Sequence, residues 1–205
     1  IALRWLRDNI YKGSPDGQSQ AVYSDRYDEM TALAAQVSPG ADGLLFSPHF
    51  GGRICPANPD MRGAWVGLSW SHQQQHLIRA MLESVAFEYA YYLGIMGDLL
   101  PDQSFYEARA MGGGAKSGVW NQIKADVLNV SYRRLQGNEF GTWGAAMIAG
   151  KAAGLIDDLS QHAEAHVKVS NEGFQPNADR HLQYQSLLER YLAMEEMLDD
   201  FFRRL

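Results

Sequence analysis

Residues 111–126 read MGGGAKSGVWNQIKAD, and the three consecutive glycines inside this stretch decide how the chain is put together. Residues 104–111 ahead of them predict a strand, and residues 116–129 behind them predict a helix. Without a Cβ, Gly112, Gly113 and Gly114 can take positive φ and let a ligand lie against bare backbone, while the helix that follows presents unpaired amides. That geometry suits a nucleotide, although a tight strand-to-helix turn accounts for the glycines equally well. Two familiar phosphate-binding patterns are excluded. In residues 144–151 the spacing to Gly150-Lys151 is one residue too long for a Walker A loop, and Ala152 replaces the Ser or Thr that would meet magnesium. GGGAKSG also lacks the G-x-G-x-x-G order, and no ribose-binding acid follows at the distance a dinucleotide fold needs.

Outward from this turn, strands and helices alternate. Residues 1–11 read as the end of an element and residues 12–18 as a loop. In residues 25–36, Tyr27, Met30, Leu33 and Ala34 recur at helical spacing, and Ser38, Pro39 and Gly40 stop the helix. Residues 43–50 and 64–70 are apolar runs that predict two strands around a loop rich in Gly, Pro and Asn. Ser71 is the expected cap of a helix reaching about Gly97, with Leu77, Ala80, Met81, Ser84, Val85 and Phe87 as its core-facing stripe. Further on, residues 131–135 predict a strand, 143–153 a helix of small residues, 166–170 a short strand and 179–205 a charged amphipathic helix. This order predicts an α/β layer structure.

The chain has 205 residues, 46% of them apolar, enough for one substantial core or two small domains, with a single domain the default. Its formal charge of −6 is spread over both signs with no Lys/Arg run, which argues against a nucleic-acid partner. Cys55 is the only cysteine, so no intrachain disulfide can form, and a cytoplasmic protein is expected. Glu83, Glu88 and Asp98 interrupt the longest apolar helix, so no membrane partner is expected. Arg4, Arg7 and Asp8 break any signal-peptide core in residues 1–9, and the absence of an initial Met suggests that the chain enters in mid-protein.

Residues 63–83 read GAWVGLSWSHQQQHLIRAMLE. The pattern of Gly63, Trp65, Gly67 and Leu68, then His76, Leu77, Ala80, Met81, Leu82 and Glu83, resembles the signature of the FGGY family of carbohydrate kinases. Residues 111–126 resemble that family's second landmark, a glycine-rich turn followed by Ser117, Trp120, Gln122, Ala125 and Asp126. Residues 51–63, GGRICPANPDMRG, resemble the family's loop at this point, with Phe50-Gly51-Gly52-Arg53 standing where Asn-Gly-Glu-Arg is usual. Residues 141–155, GTWGAAMIAGKAAGL, look like the small-residue helix that follows the adenosine site.

The resemblance implies a ribonuclease-H-like α/β fold of the actin and hexokinase superfamily, a mixed sheet flanked by helices. Residues 1–205 would form the C-terminal, nucleotide-binding domain of a two-domain sugar kinase. The N-terminal domain, outside this chain, would supply the sugar contacts, an Asp-x-Gly-Thr phosphate loop and the general-base Asp, so no catalytic residue is expected here. Carried over residue by residue, the resemblance makes Gly113, Gly114 and Ala115 the cradle for ATP or ADP, with Ser117 and Gly118 beside it and Ser71 and Gln75 from the start of the long helix in the cleft. ATP and Mg²⁺ are the implied cosubstrate and cofactor. The likeness points to D-xylulose as the sugar, with gluconate, ribulose, rhamnulose and glycerol kinases sharing the landmarks, and homodimers are common in the family. A non-catalytic nucleotide-binding module is the rival reading.

The remaining chemistry-bearing residues read as structural. His72 and His76 stand four apart on one helix, as a metal pair would, but no third ligand is apparent, Gln73 stands where a zincin needs Glu, and no metal is expected. Nothing around Cys55 lowers its pKa, so it is read as inert. Asp42 and Asp60 read as solvated loop acids rather than as a borrowed catalytic base. Trp65, Trp70, Trp120 and Trp143 read as core rather than as a sugar-stacking platform.

Overall fold

In the computed structural model, which describes residues 2–11, 13, 25–137 and 139–205, helix α1 (Ala2–Asn9) comes first. The expected loop at 12–18 lies outside the described residues except at Gly13. Asp25 caps α2 (Arg26–Ala34) by accepting the Tyr27 amide at 3.0 Å. A turn of 3₁₀ helix (Ala41–Gly43) leads into β1 (Leu45–Pro48), which pairs antiparallel with β2 (Gly63–Val66), Phe46 opposite Trp65. Helix α3 (Gln74–Leu99) runs 26 residues. Its cap is Gln73, not Ser71: the Gln73 side chain takes the amide of His76, whose Nδ1 accepts the Gln73 amide at 3.0 Å, closing a reciprocal capping box two residues later than expected.

Strand β3 (Glu107–Ala110), a second 3₁₀ turn (Gly113–Lys116), α4 (Gly118–Leu128) and β4 (Ser131–Gln136) form a βαβ unit with β3 and β4 parallel. Helices α5 (Phe140–Ala152) and α6 (Leu159–His166) follow, then β5 (Lys168–Phe174), antiparallel to β4, and α7 (Ala178–Phe202). The strands thus divide into a two-stranded ribbon and a three-stranded mixed sheet ordered β3-β4-β5. Helix α6 has no expectation behind it in the sequence. None of its eight residues is buried, so it shows no apolar stripe, and only the Asp158 side chain, accepting the Gln161 amide at 2.9 Å, marks its start.

Helix α3 is the hub. Ile78, Met81, Leu82, Ala86 and Phe87 pack against Met30 and Ala34 of α2, Phe46 of β1, and Tyr184, Tyr191 and Met194 of α7. The helix also buries Arg79, Glu83 and Glu88, three charges among its apolar residues. The Glu83 carboxylate accepts the Gly40 amide at 3.0 Å, Arg79 Nε at 2.6 Å and the Tyr184 hydroxyl at 2.8 Å, and Arg79 Nη2 donates to that hydroxyl at 2.6 Å. Gly40 has φ +91°, and a Cβ there would meet Leu187 at 2.9 Å, so glycine is the residue that fits this turn.

One turn along α3, Glu88 accepts Arg53 Nη2 at 2.6 Å, the Tyr92 hydroxyl at 2.7 Å and the Tyr191 hydroxyl at 2.9 Å. His49 Nε2 lies 3.3 Å from Glu195 Oε2 and 3.6 Å from Glu88 Oε1. Burial opposes a charge on His49, but the two carboxylates outweigh it and push the imidazole up to about 9. Burial also opposes ionisation of Glu88, yet His49, Tyr92 and Arg53 hold it down to about 2. The stability that His49 contributes is therefore complete below its ordinary value of 6.5 and is lost as pH rises through about 9. That of Glu88 is present above 4.5 and is lost as pH falls through about 2. Melting temperatures of the parent and of His49→Gln should differ by a constant amount below pH 6 and converge towards pH 10. A gap that stays unchanged across that range would remove His49 as a charged partner.

Candidate functional site

Strand β3 delivers the chain to the glycine turn. Gly112 sits at φ +80°, a conformation that strains any residue with a Cβ. Cβ atoms built on Gly112 or Gly113 meet nothing within 4 Å, so the turn exposes bare backbone to open space, whereas one on Gly114 would meet the Trp120 ring at 3.0 Å. The turn is held from behind. The Ala115 carbonyl accepts Asn121 Nδ2 at 2.7 Å, the Ser117 hydroxyl caps α4 by accepting the Trp120 amide at 3.2 Å, and Trp120 Nε1 donates to the Leu82 carbonyl at 2.9 Å, seating α4 on α3.

A cavity of about 780 Å³ opens on one side of this turn. Its walls are Gly113, Gly114, Ala115 and Ser117, then Trp120 and Lys124 of α4, Met81, Val85 and Tyr89 of α3, the first turn of α1 and the start of α2. A second cavity of about 620 Å³ lies on the other side, between Gly112, Lys116 and the end of β4 at Arg134–Gln136. Both open at the carboxyl ends of the parallel strands, where α/β sheets ordinarily take ligands.

Four of the seven residues singled out from the sequence, Gly113, Gly114, Ala115 and Ser117, line the larger cavity. Gly118 lines neither cavity, and a Cβ there would meet the Phe174 ring at 3.5 Å. Ser71 and Gln75 stand apart from both, at the exposed approach to α3. The Ser71 hydroxyl pairs with that of Ser69 at 2.9 Å, and Gln75 Nε2 donates to Gln73 Oε1 at 2.9 Å. The sequence reading missed Arg4, Asp25, Tyr89, Arg109 and Lys124, which complete the cavity. Their signal is tertiary: they come from five separate segments and form no motif. Among the charged side chains lining it, Arg4, Arg109, Lys116 and Lys124 outnumber Asp25 and Asp28, so the cavity favours an anionic ligand.

The two histidines have a different task. His72 Nδ1 accepts the Ser69 amide at 2.9 Å and His76 Nδ1 the Gln73 amide at 3.0 Å, which leaves each proton on Nε2. Those Nε2 atoms face Asp42, at 3.3 Å from its carbonyl and 3.1 Å from its carboxylate. Asp42 is thereby pinned in a left-handed conformation, φ 53°, and neither imidazole has a lone pair to give a metal. Asp60 stays a loop residue, its amide turned to Asn58 Oδ1, and Cys55 is a free, exposed thiol. Trp65 and Trp120 pack against the main core. Trp143 instead lies half-buried against His162, ring centres 6.3 Å apart. Trp70, expected in the core, is fully exposed: the capping box at Gln73 ends the β2–α3 connection with its side chain outside.

Residues 1–153 match the FGGY family of carbohydrate kinases, C-terminal domain. A gluconokinase of Bacillus subtilis is 31% identical over 207 aligned residues, covering 100% of this chain and 39% of that protein. A xylulose kinase of Staphylococcus epidermidis is 30% identical over 96% of this chain and 36% of its own length. Among solved structures, a ligand-bound xylulose kinase from Lactobacillus acidophilus superimposes with a TM-score of 0.79 at 24% identity, over 100% of this chain and 39% of that one. The chain thus spans about two fifths of the length of the relatives it matches.

Proposed function

The chain belongs to the FGGY family of carbohydrate kinases, through its C-terminal domain, and from that membership we propose that it forms the nucleotide-binding half of an ATP-dependent sugar kinase. Its fold is the ribonuclease-H-like α/β arrangement of the actin and hexokinase superfamily. The observation that carries the proposal is the bare backbone at Gly113, facing open space on the wall of a cavity with a cationic excess. At about 780 Å³ that cavity falls within the roughly 300–1,000 Å³ usual for small-ligand sites.

In this reading the γ-phosphoryl group passes in line to a sugar hydroxyl, whose proton goes to an Asp of the N-terminal domain. This half positions the donor. Amides of the glycine turn and the start of α4 receive the nucleotide's phosphate side, while Lys116 and Arg109 offset its charge at the rim. Mg²⁺ would arrive as the counter-ion of ATP. No cluster of three metal-ligating side chains occurs among the described residues. The acceptor we propose is D-xylulose, giving D-xylulose 5-phosphate, in keeping with the whole-chain likeness to xylulose kinases. Gluconate is the second reading, favoured by the gluconokinase at 31% identity. We place the enzyme in the cytoplasm; no described helix is long and apolar enough to cross a membrane.

Calorimetric titration of Mg·ATP into the chain and into Gly113→Trp tests the nucleotide assignment. Gly113 is the better probe than Gly114, because an indole there enters open space, whereas at Gly114 it would displace Trp120. The parent should bind, and the variant should bind at least about tenfold more weakly, the loss expected when an apolar wedge removes one charge-assisted hydrogen bond. Equal affinities would take the nucleotide away from the turn. Sugar-dependent ADP production by residues 1–205 alone would overturn the division of labour between the two domains.

A further inference from the structure

Lys124 is 5% exposed and lines the larger cavity from α4. Its ammonium stands 4.1 Å from the centre of the Trp120 ring and 5.7 Å from that of Tyr132. No carboxylate or other hydrogen-bond acceptor engages it among the described residues, and the one influence on its titration is burial, which pushes it down to about 8. A buried ammonium carries three N–H donors and no acceptor, and the two aromatic faces steady its charge without using those donors.

We infer that Lys124 reads the base of the bound nucleotide, donating a hydrogen bond from the cavity floor to an acceptor atom on the purine edge. The inference rests on the nucleotide reading above and extends it to a residue that no motif identifies. Position decides for the base over the phosphates. The Lys124 backbone lies seven residues beyond the cap Ser117, about 10 Å along α4, and its ammonium rests over the Trp120 ring on that ring's cavity side. There the walls are Trp120, Tyr132 and Tyr89, flat apolar surfaces suited to a ring, whereas the exposed cations Lys116 and Arg109 and the free amides that suit phosphates stand at the turn. A donor-only group selects a base edge that shows a lone pair, as the ring nitrogens of adenine do.

The test uses the 205-residue chain, Mg·ATP, and Mg·tripolyphosphate as the baseless control. Lys124→Met should weaken Mg·ATP about tenfold and leave Mg·tripolyphosphate unchanged, the loss expected for one hydrogen bond from a charged donor. Replacing an unpaired buried charge by an apolar chain of similar length should leave the melting temperature equal or higher. The parent supplies a second readout that needs no variant: its affinity for Mg·ATP should fall as pH rises from 7 to 9. Lys124 shares the cavity with Tyr89 of α3, Tyr132 of β4, Arg109 of β3, Arg4 of α1, and Asp25 and Asp28 at the start of α2. Tyr132 is pushed up to about 12 by burial and by Tyr89, away from that window. Affinity for Mg·ATP unaltered in Lys124→Met, a flat pH profile in the parent, or equal losses for both ligands would each overturn the inference. If Gly113→Trp still abolishes binding in such a case, the nucleotide assignment stands and Lys124 alone is excluded. If the folded chain binds no Mg·ATP, both fall together.

Discussion

Glu83→Ala is expected to lower the free energy of unfolding by about 3–5 kcal/mol, the usual cost of removing one partner from a buried ion pair. Glu83 is fully enclosed and joins two distant segments, the Gly40 turn and Tyr184 on α7, to Arg79 one helical turn before it. Burial pushes its carboxyl upward, and Arg79, the Gly40 amide and Tyr184 act against that shift. Alanine would leave the Arg79 guanidinium in the core with only the Tyr184 hydroxyl and, at 3.3 Å, the Ala34 carbonyl. For a chain of this length the loss corresponds to a fall in melting temperature of about 10 °C. Replacing both charges, Arg79→Leu with Glu83→Leu, should recover much of it, since an apolar pair of similar volume does not strand a charge. A fall of under about 2 °C in Glu83→Ala, the equivalent of less than one kcal/mol, would show that the network contributes little.

The second large effect belongs to Asp126, the last acid of the glycine-turn signature. It is buried, and its carboxylate caps the start of α7, accepting the Asn177 amide at 2.8 Å, Gln122 Nε2 at 2.9 Å and Arg180 Nε at 2.6 Å. Its carbonyl faces His181 Nδ1 at 2.9 Å. A carboxylate at a helix N-terminus satisfies amides that have no partner within the helix and meets the positive end of the helix dipole. Asp126→Ala should therefore destabilise the chain by about 3 kcal/mol, combining a lost helix-terminal carboxylate with the loss of hydrogen bonds to a charged acceptor. Amide exchange should accelerate first in the opening turn of α7 and least in the middle of α3. Uniform acceleration across the chain would show that Asp126 serves the whole core rather than the α4–α7 junction.

These two acids show how far the sequence could be read. Both stand in recognisable signatures, yet their positions say nothing of what they hold. Glu83 and Asp126 find partners up to 101 and 55 residues away. By residue type alone Arg79, Glu83 and Glu88 would be placed in solvent, and only the packing of α7 and the loop carrying His49 and Arg53 shows why charges lie inside. Short-range rules did better. The alternation of elements, the βαβ unit around residues 111–126, the stop at Ser38–Gly40 and the long helix from the mid-seventies were all legible, because periodicity and glycine or proline punctuation act over a few residues. The same rules failed at Ser71, where Gln73 and His76 formed a better box, and at α6, whose eight residues bury none and leave no apolar stripe.

The sequence by itself determined the order of elements apart from α6, the glycine turn and the kinase-family resemblance, since each depends on residue types at fixed local spacing. The tertiary structure alone decided that Gly113 faces open space while Gly114 backs onto Trp120. It also separated Ser71 and Gln75 from the cavity and buried Lys124 beneath two aromatic rings. Those outcomes depend on which distant surfaces meet and on what water is excluded between them, and no spacing along one segment encodes either.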